Sequence, residues 1–280
     1  MRTIVVFFIL IVASCSFAQR PVPTLELKQL QGNIYTIDGG LGNMTLLASD
    51  SELLVVDTKA EEAGEPLEAL FKTQLAGKKV RYLINTHMHF DHTGNNKRIG
   101  KGATIITQQN ARNALKTDSA KARLGSPNLT FDKQLTLYFG GEEVTLIHYP
   151  LSHTNHDLVA YFTKSNVIAM GDMYFSGMYP FIATDGDLNG LIEHLNTIIT
   201  MLPPDVKIVP GHGPVSTLDD LKSTHKMLVE TSQYVKKQIE AGKSLEDIKK
   251  TGLPEWTPIW GKGFCKEDCW IETLYDYLKK

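Results

Sequence analysis

Three histidines and an aspartate fall within six residues of the chain, directly after a predicted strand. Residues 80–85 form an apolar run of strand length, and His87, His89, Asp91 and His92 follow it. Alternate residues of a strand or tight turn point the same way, so His87 and His89 can reach one metal ion together. Asp91 and His92 lie one step further along and are placed for a second ion. Imidazole nitrogen suits zinc, and a carboxylate adds charge and a hard oxygen ligand.

A structural role and nonspecific metal binding are the alternatives to a metal site at these histidines. A single histidine is usually a surface or core residue with no ligand role. Four ionisable groups this close together would be costly to bury without a metal. Histidine tracts that only scavenge metal are low in complexity, and this stretch is not. The spacing therefore favours a metal site.

The first residues have the pattern of an export signal. Arg2 gives a positive start, residues 4–13 are apolar, and residues 16–18 have small side chains at the two positions that a signal peptidase recognises. Cleavage before Gln19 is predicted, and the apolar run is too short for a comfortable transmembrane helix. The alternative is a lipobox, in which Cys15 is lipidated and becomes the mature N-terminus. Either reading predicts a periplasmic, secreted or lipid-anchored protein.

Length and charge restrict the remaining classes. The chain has 280 residues, is 42% hydrophobic and carries a net charge of −2. Residues 19–280 are predicted to form one catalytic domain, whose residues 218–280 are helical. The near-neutral charge gives no footprint for nucleic acid, and no basic block indicates a membrane surface. The expected partner is a small molecule, with membrane attachment only if Cys15 is lipidated.

Two cysteines remain after the signal, Cys265 and Cys269. In an oxidising compartment they can close a small loop. The same spacing lies on one face of a helix, where a disulfide would be strained. A local disulfide is favoured over two free thiols.

Periodicity predicts a β-rich chain interrupted by helices. Turn residues separate strands within residues 26–58, which indicates an antiparallel meander. Residues 117–134 are polar and are interpreted as an irregular excursion near the site. Ser244 is predicted to cap the second of two helices within residues 218–250. The remaining strands are predicted at residues 33–37, 44–48, 53–57, 104–107, 135–139, 144–149, 158–162, 167–170 and 206–209. The remaining helices are predicted at residues 60–76, 108–116, 190–202 and 266–280.

Three more polar loops follow apolar strands. They carry His153, Asp172 and His212, the last between two glycines that let the backbone approach a metal. His148 and His156 compete with His153. His148 lies within a strand, as packed residues do, and His156 is interpreted as a neighbour or rim residue.

These motifs together resemble the metallo-β-lactamase-fold hydrolases. The resemblance rests on H-x-H-x-D-H at residues 87–92, His-Thr at 153–154, Gly-Asp at 171–172 and Pro-Gly-His-Gly-Pro at 210–214. It covers about residues 28–216 with the motifs in family order. It implies an α/β fold, a four-layer αββα sandwich with the site at one edge of its two sheets.

The resemblance also implies the ligands and the mechanism. One zinc ion would be held by His87, His89 and His153, the other by Asp91, His92 and His212, with Asp172 bridging; iron or manganese remains possible. The metals would share a water whose pKa falls from about 15.7 to near 7, and the hydroxide would attack a carbonyl or phosphoryl centre. Asp91 would orient that hydroxide as well as bind metal.

Substrate is less constrained. Some zinc β-lactamases have Cys or Ser where this chain has Asp172, which points to the glyoxalase II-like and lactonase branches. Export suits a β-lactamase or lactonase, and the missing basic residues disfavour a nuclease. Tyr174, Phe175, Tyr179 and Phe181 are candidates for an apolar substrate pocket, although aromatic clusters more often form core.

Three alternatives remain open. One is an iron-dependent enzyme like the persulfide dioxygenases of this fold. Another is a thioesterase of the glyoxalase II type, which the absent arginine after Phe175 disfavours. The third is a binding protein on a retired scaffold, which the presence of every expected ligand disfavours.

Overall fold

The computed structural model describes residues 22–117, 125–256 and 258–279. The predicted signal segment, residues 1–18 with Cys15, lies outside these ranges. Within them, no helix is both long enough and apolar enough to cross a membrane.

The first sheet has seven strands in the described part of the chain, in sequence order across the sheet. Its first four strands are antiparallel, which confirms the predicted meander, and the last four run parallel to one another. The strands are β1 (Glu26–Gln31), β2 (Ile34–Asp38), β3 (Met44–Ala48), β4 (Glu52–Val56), β5 (Lys79–Ile84), β6 (Thr104–Gln108) and β7 (Leu129–Phe131).

The second sheet contains five strands among the described residues, in the order β12-β11-β10-β9-β8. Strands β8 to β11 are antiparallel to their neighbours, and β12 is parallel to β11. The strands are β8 (Gln134–Phe139), β9 (Glu142–His148), β10 (Leu158–Phe162), β11 (Val167–Ala169) and β12 (Lys207–Val209).

Eight helices lie in the described part of the chain, and most of them pack on the outer faces of the sheets. They are α1 (Gly64–Gln74), α2 (Phe90–Thr93), α3 (Asn96–Ile99), α4 (Gln109–Thr117), α5 (Leu188–Met201), α6 (Leu218–Glu240), α7 (Leu245–Thr251) and α8 (Glu267–Leu278). Short 3-10 turns occur at Glu61–Ala63, Gly171–Met173 and Pro258–Trp260.

Alternation along the strands generates the layers. In β4, Leu54 and Val56 face the core between the two sheets, whereas Leu53 and Val55 face α1. The second sheet does the same, with its outer side chains packed in one cluster with α5, α6, α7 and α8. The order of layers is therefore helix, sheet, sheet, helix, as the αββα prediction requires.

The C-terminal helices share the core of the second sheet. Trp270 of α8 is fully buried, and its Nε1 donates to Thr231 Oγ1 of α6 at 3.0 Å. The predicted cap of α7 is confirmed, because Ser244 and Asp247 exchange side chain to backbone hydrogen bonds in a capping box. The helices within residues 218–256 and 258–279 thus pack onto the sheet that carries several site loops.

Some predicted boundaries were wrong. Within residues 117–134, Leu129–Phe131 forms β7, a strand of three residues that is too short to show periodicity; residues 118–124 lie outside the described ranges. The helix predicted at residues 60–76 begins as a 3-10 turn. The strand predicted to reach Asp57 ends at Val56, because Asp57 has a φ of 63° and leaves the extended conformation.

A disulfide joins Cys265 to Cys269, with their Cα atoms 5.4 Å apart. Cys269 belongs to the first turn of α8, whereas Cys265 precedes the helix. The pair therefore closes the loop before α8 and does not span one face of a helix.

The strand directions bring the predicted ligand loops to one edge. Strands β4 and β5 are parallel, so the chain leaves both at the same edge of the first sheet. Strands β9, β11 and β12 share one direction and release their loops at one edge of the second sheet. The loops that follow β5, β9, β11 and β12 carry the predicted ligands.

The core between the sheets gives a test of the fold. We expect Phe162→Ala, at a fully buried position of β10, to lower the free energy of unfolding by about 3–5 kcal/mol, through lost burial and a residual cavity. Urea unfolding of residues 19–280 measures this change. Tyr138→Ala on β8, where the side chain is 78% exposed, is the control and should change it by less than about 0.5 kcal/mol. Equal effects of the two substitutions would contradict this core.

Candidate metal centre

The first group of candidate ligands combines the loop after β5 with the loop after β9. Nε2 of His87 lies 3.0 Å from Nδ1 of His89, and Nε2 of His153 lies 2.9 Å from that same Nδ1. His87 and His153 are fully buried, and His89 is half-buried. Three imidazole nitrogens from distant parts of the sequence therefore converge on one point.

The second group combines Asp91 and His92 with the loop after β12. Nε2 of His212 lies 3.2 Å from Oδ2 of Asp91, and Nε2 of His92 lies 3.9 Å from the same oxygen. All three side chains are buried. Their donor atoms lie within 4.8 Å of one another, so one ion could contact all three.

Asp172 lies between the two groups and presents one carboxylate oxygen to each. Its Oδ1 is 3.1 Å from Nε2 of His92 and 3.4 Å from Nε2 of His212. Its Oδ2 is 3.6 Å from Nε2 of His87 and 3.4 Å from Nε2 of His153. This is the arrangement of a carboxylate that bridges two ions.

The rivals of His153 lie outside both groups. Nδ1 of His148 contacts the backbone oxygen of Asp157 at 2.9 Å, at the end of β9. Nε2 of His156 is 3.8 Å from Asp185, a half-exposed carboxylate. Among the described residues, neither histidine contributes a donor atom to a candidate metal group.

Burial and charge leave the first group ready to bind a cation. Burial and the neighbouring His92 hold the pKa of His87 well below its usual range, and burial with His153 lowers the pKa of His89 to about 4. Burial opposes ionisation of Asp172, but His92 and His87 hold the pKa of its carboxyl well below the ordinary value. Neutral imidazoles and an ionised carboxylate are the forms that bind divalent metals.

Two orphaned atoms fit a metal at the same place. Nε2 of His92 and Oδ1 of Asp172 are fully buried and have no hydrogen-bond partner. They face each other at 3.1 Å without hydrogen-bond geometry. Leaving a buried polar atom unsatisfied costs about 1–3 kcal/mol, and a cation between these atoms would remove that cost. The donor set, imidazoles with carboxylates, suits zinc and related transition metals.

Comparison with known proteins agrees with this geometry. Residues 37–212, more than half of the chain, match the model of the metallo-β-lactamase superfamily. The chain belongs to this superfamily.

Individual superfamily relatives are distant. The chain is 22% identical over 233 residues to the 2,4-dinitroanisole O-demethylase subunit alpha of Nocardioides sp. (strain JS1661), covering 81% of this chain and 70% of that protein. Among solved structures, a metallo-β-lactamase from Pontibacter korlensis has a TM-score of 0.63 at 20% identity, over 73% of this chain and 99% of that one. The DIM-1 metallo-β-lactamase has the same TM-score at 17% identity, over 75% and 99%. These structural likenesses establish the fold.

Sequence reasoning missed Asp57, the residue that orients His92. Its carboxylate accepts from Nδ1 of His92 at 2.8 Å and from the backbone N–H and hydroxyl of Thr86 at 2.8 and 2.7 Å. Holding Nδ1 directs Nε2 of His92 at the candidate metal position. The available signal was a carboxylate at the end of β4, the parallel neighbour of the strand that leads to the histidines.

Glycines beside the ligands leave room for them, as predicted for the loop of His212. A Cβ at Gly211 would overlap Oδ1 of Asp172, and a Cβ at Gly213 would overlap the backbone oxygen of Ser176. Gly213 also has a φ of 94°, a backbone angle that residues with a side chain rarely adopt. Close approach therefore requires glycine at both positions, and the backbone conformation requires it at Gly213 as well.

A cavity of about 360 Å³ opens above this superfamily member's candidate metal centre. Its floor consists of ligand candidates, namely His89, Asp91, Asp172 and His212. Its walls are four phenylalanine rings, those of Phe90, Phe175, Phe181 and Phe264.

The predicted substrate residues divide between this cavity and the core. Phe175 lines the cavity and stacks on His212, with ring centroids 5.1 Å apart and planes inclined by 18°. The prediction for Tyr174 and Tyr179 was wrong, because both are fully buried in the core around the second sheet. Tyr179 stacks on Trp270 instead, at 5.9 Å. Tyr174 and Phe175 are neighbours in the chain, yet one side chain lies in the core and the other lines the cavity, which sequence alone could not assign.

The contact between Asp57 and His92 generates a prediction for the metal centre. We expect Asp57→Asn to lower the affinity for the second equivalent of zinc by about 10- to 100-fold, because an amide supplies no charge and orients His92 less firmly. Competition with a chromophoric zinc chelator measures both affinities. The control is Asp219→Asn, whose carboxylate is 89% exposed on α6 and should leave both affinities unchanged. Unchanged zinc affinity in Asp57→Asn would contradict the assigned role.

Proposed function

We propose that this chain is a zinc-dependent hydrolase with two metal ions, which opens an ester, lactone or amide bond in a small molecule. The observation that carries the proposal is the position of Asp172, whose two oxygens face two separate groups of donors. A single-ion site has no use for that arrangement. Membership of the superfamily supports the same reading.

Each ligand candidate has a place in the proposed centre. His87, His89 and His153 would hold one ion, and Asp91, His92 and His212 would hold the other; Asp172 contacts both groups. Metal ions held there would supply Lewis acidity and lower the pKa of a water molecule toward neutral pH.

Asp91 is the proposed catalytic residue of the protein itself. It lines the cavity floor, and its Oδ2 is 3.2 Å from Nε2 of His212. Burial raises the pKa of Asp91, but the hydrogen bond from His212 and the nearby His92 lower it by more. The net pKa lies below the ordinary value, so the carboxyl is ionised. An ionised carboxylate at this position accepts a hydrogen bond from the attacking water and orients it toward a substrate carbonyl.

The composition of the cavity supports water over a protein nucleophile. Its lining consists of phenylalanine, histidine and aspartate, and within the described ranges it includes no serine, threonine, cysteine or lysine. Covalent catalysis requires one of these activated groups or a carboxylate free to attack. Both carboxylates in the lining are committed to the donor groups.

The name of the O-demethylase relative favours a second candidate, cleavage of an aryl methyl ether. The specific observation in its favour is the wall of four phenylalanines around the cavity, since a ring can pack against rings. Release of yellow 2,4-dinitrophenol from 2,4-dinitroanisole tests this candidate directly. Metal analysis with oxygen consumption separates both hydrolytic candidates from an iron-dependent oxygenase.

We also propose export from the cytoplasm, to the periplasm or beyond, with attachment to a membrane only if Cys15 is lipidated. The signal-like pattern of residues 1–18 and the Cys265–Cys269 disulfide support this, because disulfides persist in oxidising compartments. N-terminal sequencing of the mature protein distinguishes Gln19 from lipidated Cys15 as its first residue.

Hydrolysis by zinc-loaded residues 19–280 tests the proposal. Substrates are a chromogenic cephalosporin, 4-nitrophenyl acetate and an aryl lactone. We expect Asp91→Asn and His89→Ala to lower turnover of whichever is cleaved by more than about 100-fold, because each removes a metal contact. Circular dichroism should show both variants folded.

The matched control is His148→Ala, a histidine at a strand end that lies outside both donor groups. It should retain activity within a few-fold. Full activity in Asp91→Asn or His89→Ala would overturn the site assignment. Cephalosporin turnover that these variants lose would make the protein a β-lactamase despite Asp172.

A further inference from the structure

The cavity above the candidate metal centre has an unusual wall. Half of its eight lining side chains are phenylalanines, which come from three separate parts of the chain. Phe90 lies in the metal-binding loop, Phe175 and Phe181 follow the Asp172 turn, and Phe264 comes from the loop before α8.

Three of these rings are exposed to a degree that folding alone does not explain. Phe90, Phe181 and Phe264 are 52%, 50% and 59% exposed. Contiguous exposed apolar surface marks a binding site, since each ring left in water forfeits the gain of burial. The exposed rings belong to one cavity, so a single ligand can cover them together.

The rings flank both halves of the centre. Phe181 lies beside the first group of ligands, with its ring 5.9 Å from that of His153. Phe264 lies beside the second group, with its ring edge-on to His212 at 5.3 Å and to Phe175 at 5.7 Å. A group held between Phe181 and Phe264 would therefore lie beside both groups of ligand candidates.

The wall offers no partner for an anionic group. The cavity lining within the described residues includes no lysine or arginine. Lys59 follows β4, is fully buried and does not line the cavity. Its Nζ donates to the backbone oxygens of Gly39 and Gly42, both at 2.7 Å. A carboxylate or sulfonate remote from the reacting bond would lose its hydration against phenyl rings without compensation.

The Cys265–Cys269 disulfide fixes the wall at Phe264. Phe264 directly precedes the buried Cys265, and the loop is also held by the hydrogen bond from Tyr179 N–H to the Trp260 oxygen at 3.0 Å. Gly263 packs against Met178, where a Cβ would overlap the methionine side chain. A ring held in place before binding loses less conformational entropy when a ligand arrives.

We propose that this pocket selects neutral substrates that carry an aryl group, packed between Phe264 and Phe181, and discriminates against the same compounds with a remote negative charge. Phe264 is the specificity-determining residue, and the disulfide loop is its positioning element. Turnover of the bound compound rests on the proposed hydrolytic function, whereas binding of an aryl ligand does not.

The first test measures binding without catalysis. N-phenyl-1-naphthylamine is neutral, and 8-anilinonaphthalene-1-sulfonate has the same ring skeleton with one negative charge. We expect the zinc-loaded protein to bind the neutral probe at least about tenfold more tightly, as read by fluorescence, because a sulfonate packed against the phenylalanine wall, away from the metal positions on the cavity floor, finds no counter-charge. Equal affinities, or tighter binding of the sulfonate, would overturn the proposal.

Variants test whether the neutral probe binds at the phenylalanine wall. Phe264→Ala should weaken binding of the neutral probe by about tenfold, since an aromatic contact and its burial are lost. Tyr138→Ala removes an exposed ring outside the cavity lining and should change nothing. Cys265→Ser with Cys269→Ser keeps the ring but frees the loop, and should weaken binding by several-fold. Unchanged affinity in Phe264→Ala would refute the site, and unchanged affinity in the cysteine pair would refute the positioning role.

A kinetic test separates the two proposals. The substrates are 4-nitrophenyl phenylacetate and its analogue with a carboxylate para on the phenyl ring. We expect a kcat/KM ratio of at least about ten in favour of the neutral ester, reduced toward one in Phe264→Ala. Selective binding of the neutral probe with no ester hydrolysis would leave this inference standing and count against the hydrolase. Hydrolysis of both esters at equal rates would overturn the inference alone.

Discussion

The carboxylate of Asp172 is buried and has imidazole nitrogens on both sides. Removing a carboxylate from water costs several kcal/mol unless positive charge compensates for it. Here that charge must come from protonated histidines or from metal ions, because no lysine or arginine lines the cavity within the described ranges. Four loops must therefore hold their donors within ångströms of one another, and the directions of the strands in the two sheets bring those loops together.

The end of β4 shows how local strain is offset near this charge cluster. Asp57 and Lys59 both have positive φ, at 63° and 59°, which costs on the order of 1–3 kcal/mol each for residues with side chains. Asp57 recovers that cost through three hydrogen bonds to Thr86 and His92. Lys59 donates two hydrogen bonds to the Gly39–Gly42 turn, although burial lowers its pKa to about 8. The strained backbone thus orients a ligand and supports the turn beside Asp91.

Sequence could predict most of the layers and the convergence of the donor atoms, because both follow from residue types at strand ends. His87 and His212 follow apolar runs, and the directions of the strands bring the loops after those runs together. Asp57 escaped notice because a carboxylate after a strand is common, and its role depends on a neighbouring strand. Tyr179 and Phe264 show the other limit. Both are aromatic, yet one fills the core and the other walls the cavity, and only tertiary packing decides which.

The ligand candidates and the wall residue Phe264 come from different kinds of element, so metal binding and selectivity depend on different parts of the fold. The ligand candidates follow strands of the two sheets, whose register fixes them, so a change in any one disturbs the centre. The wall residue Phe264 lies instead in the loop before α8, between Gly263, which packs on Met178, and the disulfide-bonded Cys265. Its side chain can change without moving a strand. Selectivity for the part of a ligand remote from the reacting bond can therefore vary independently of the donor set.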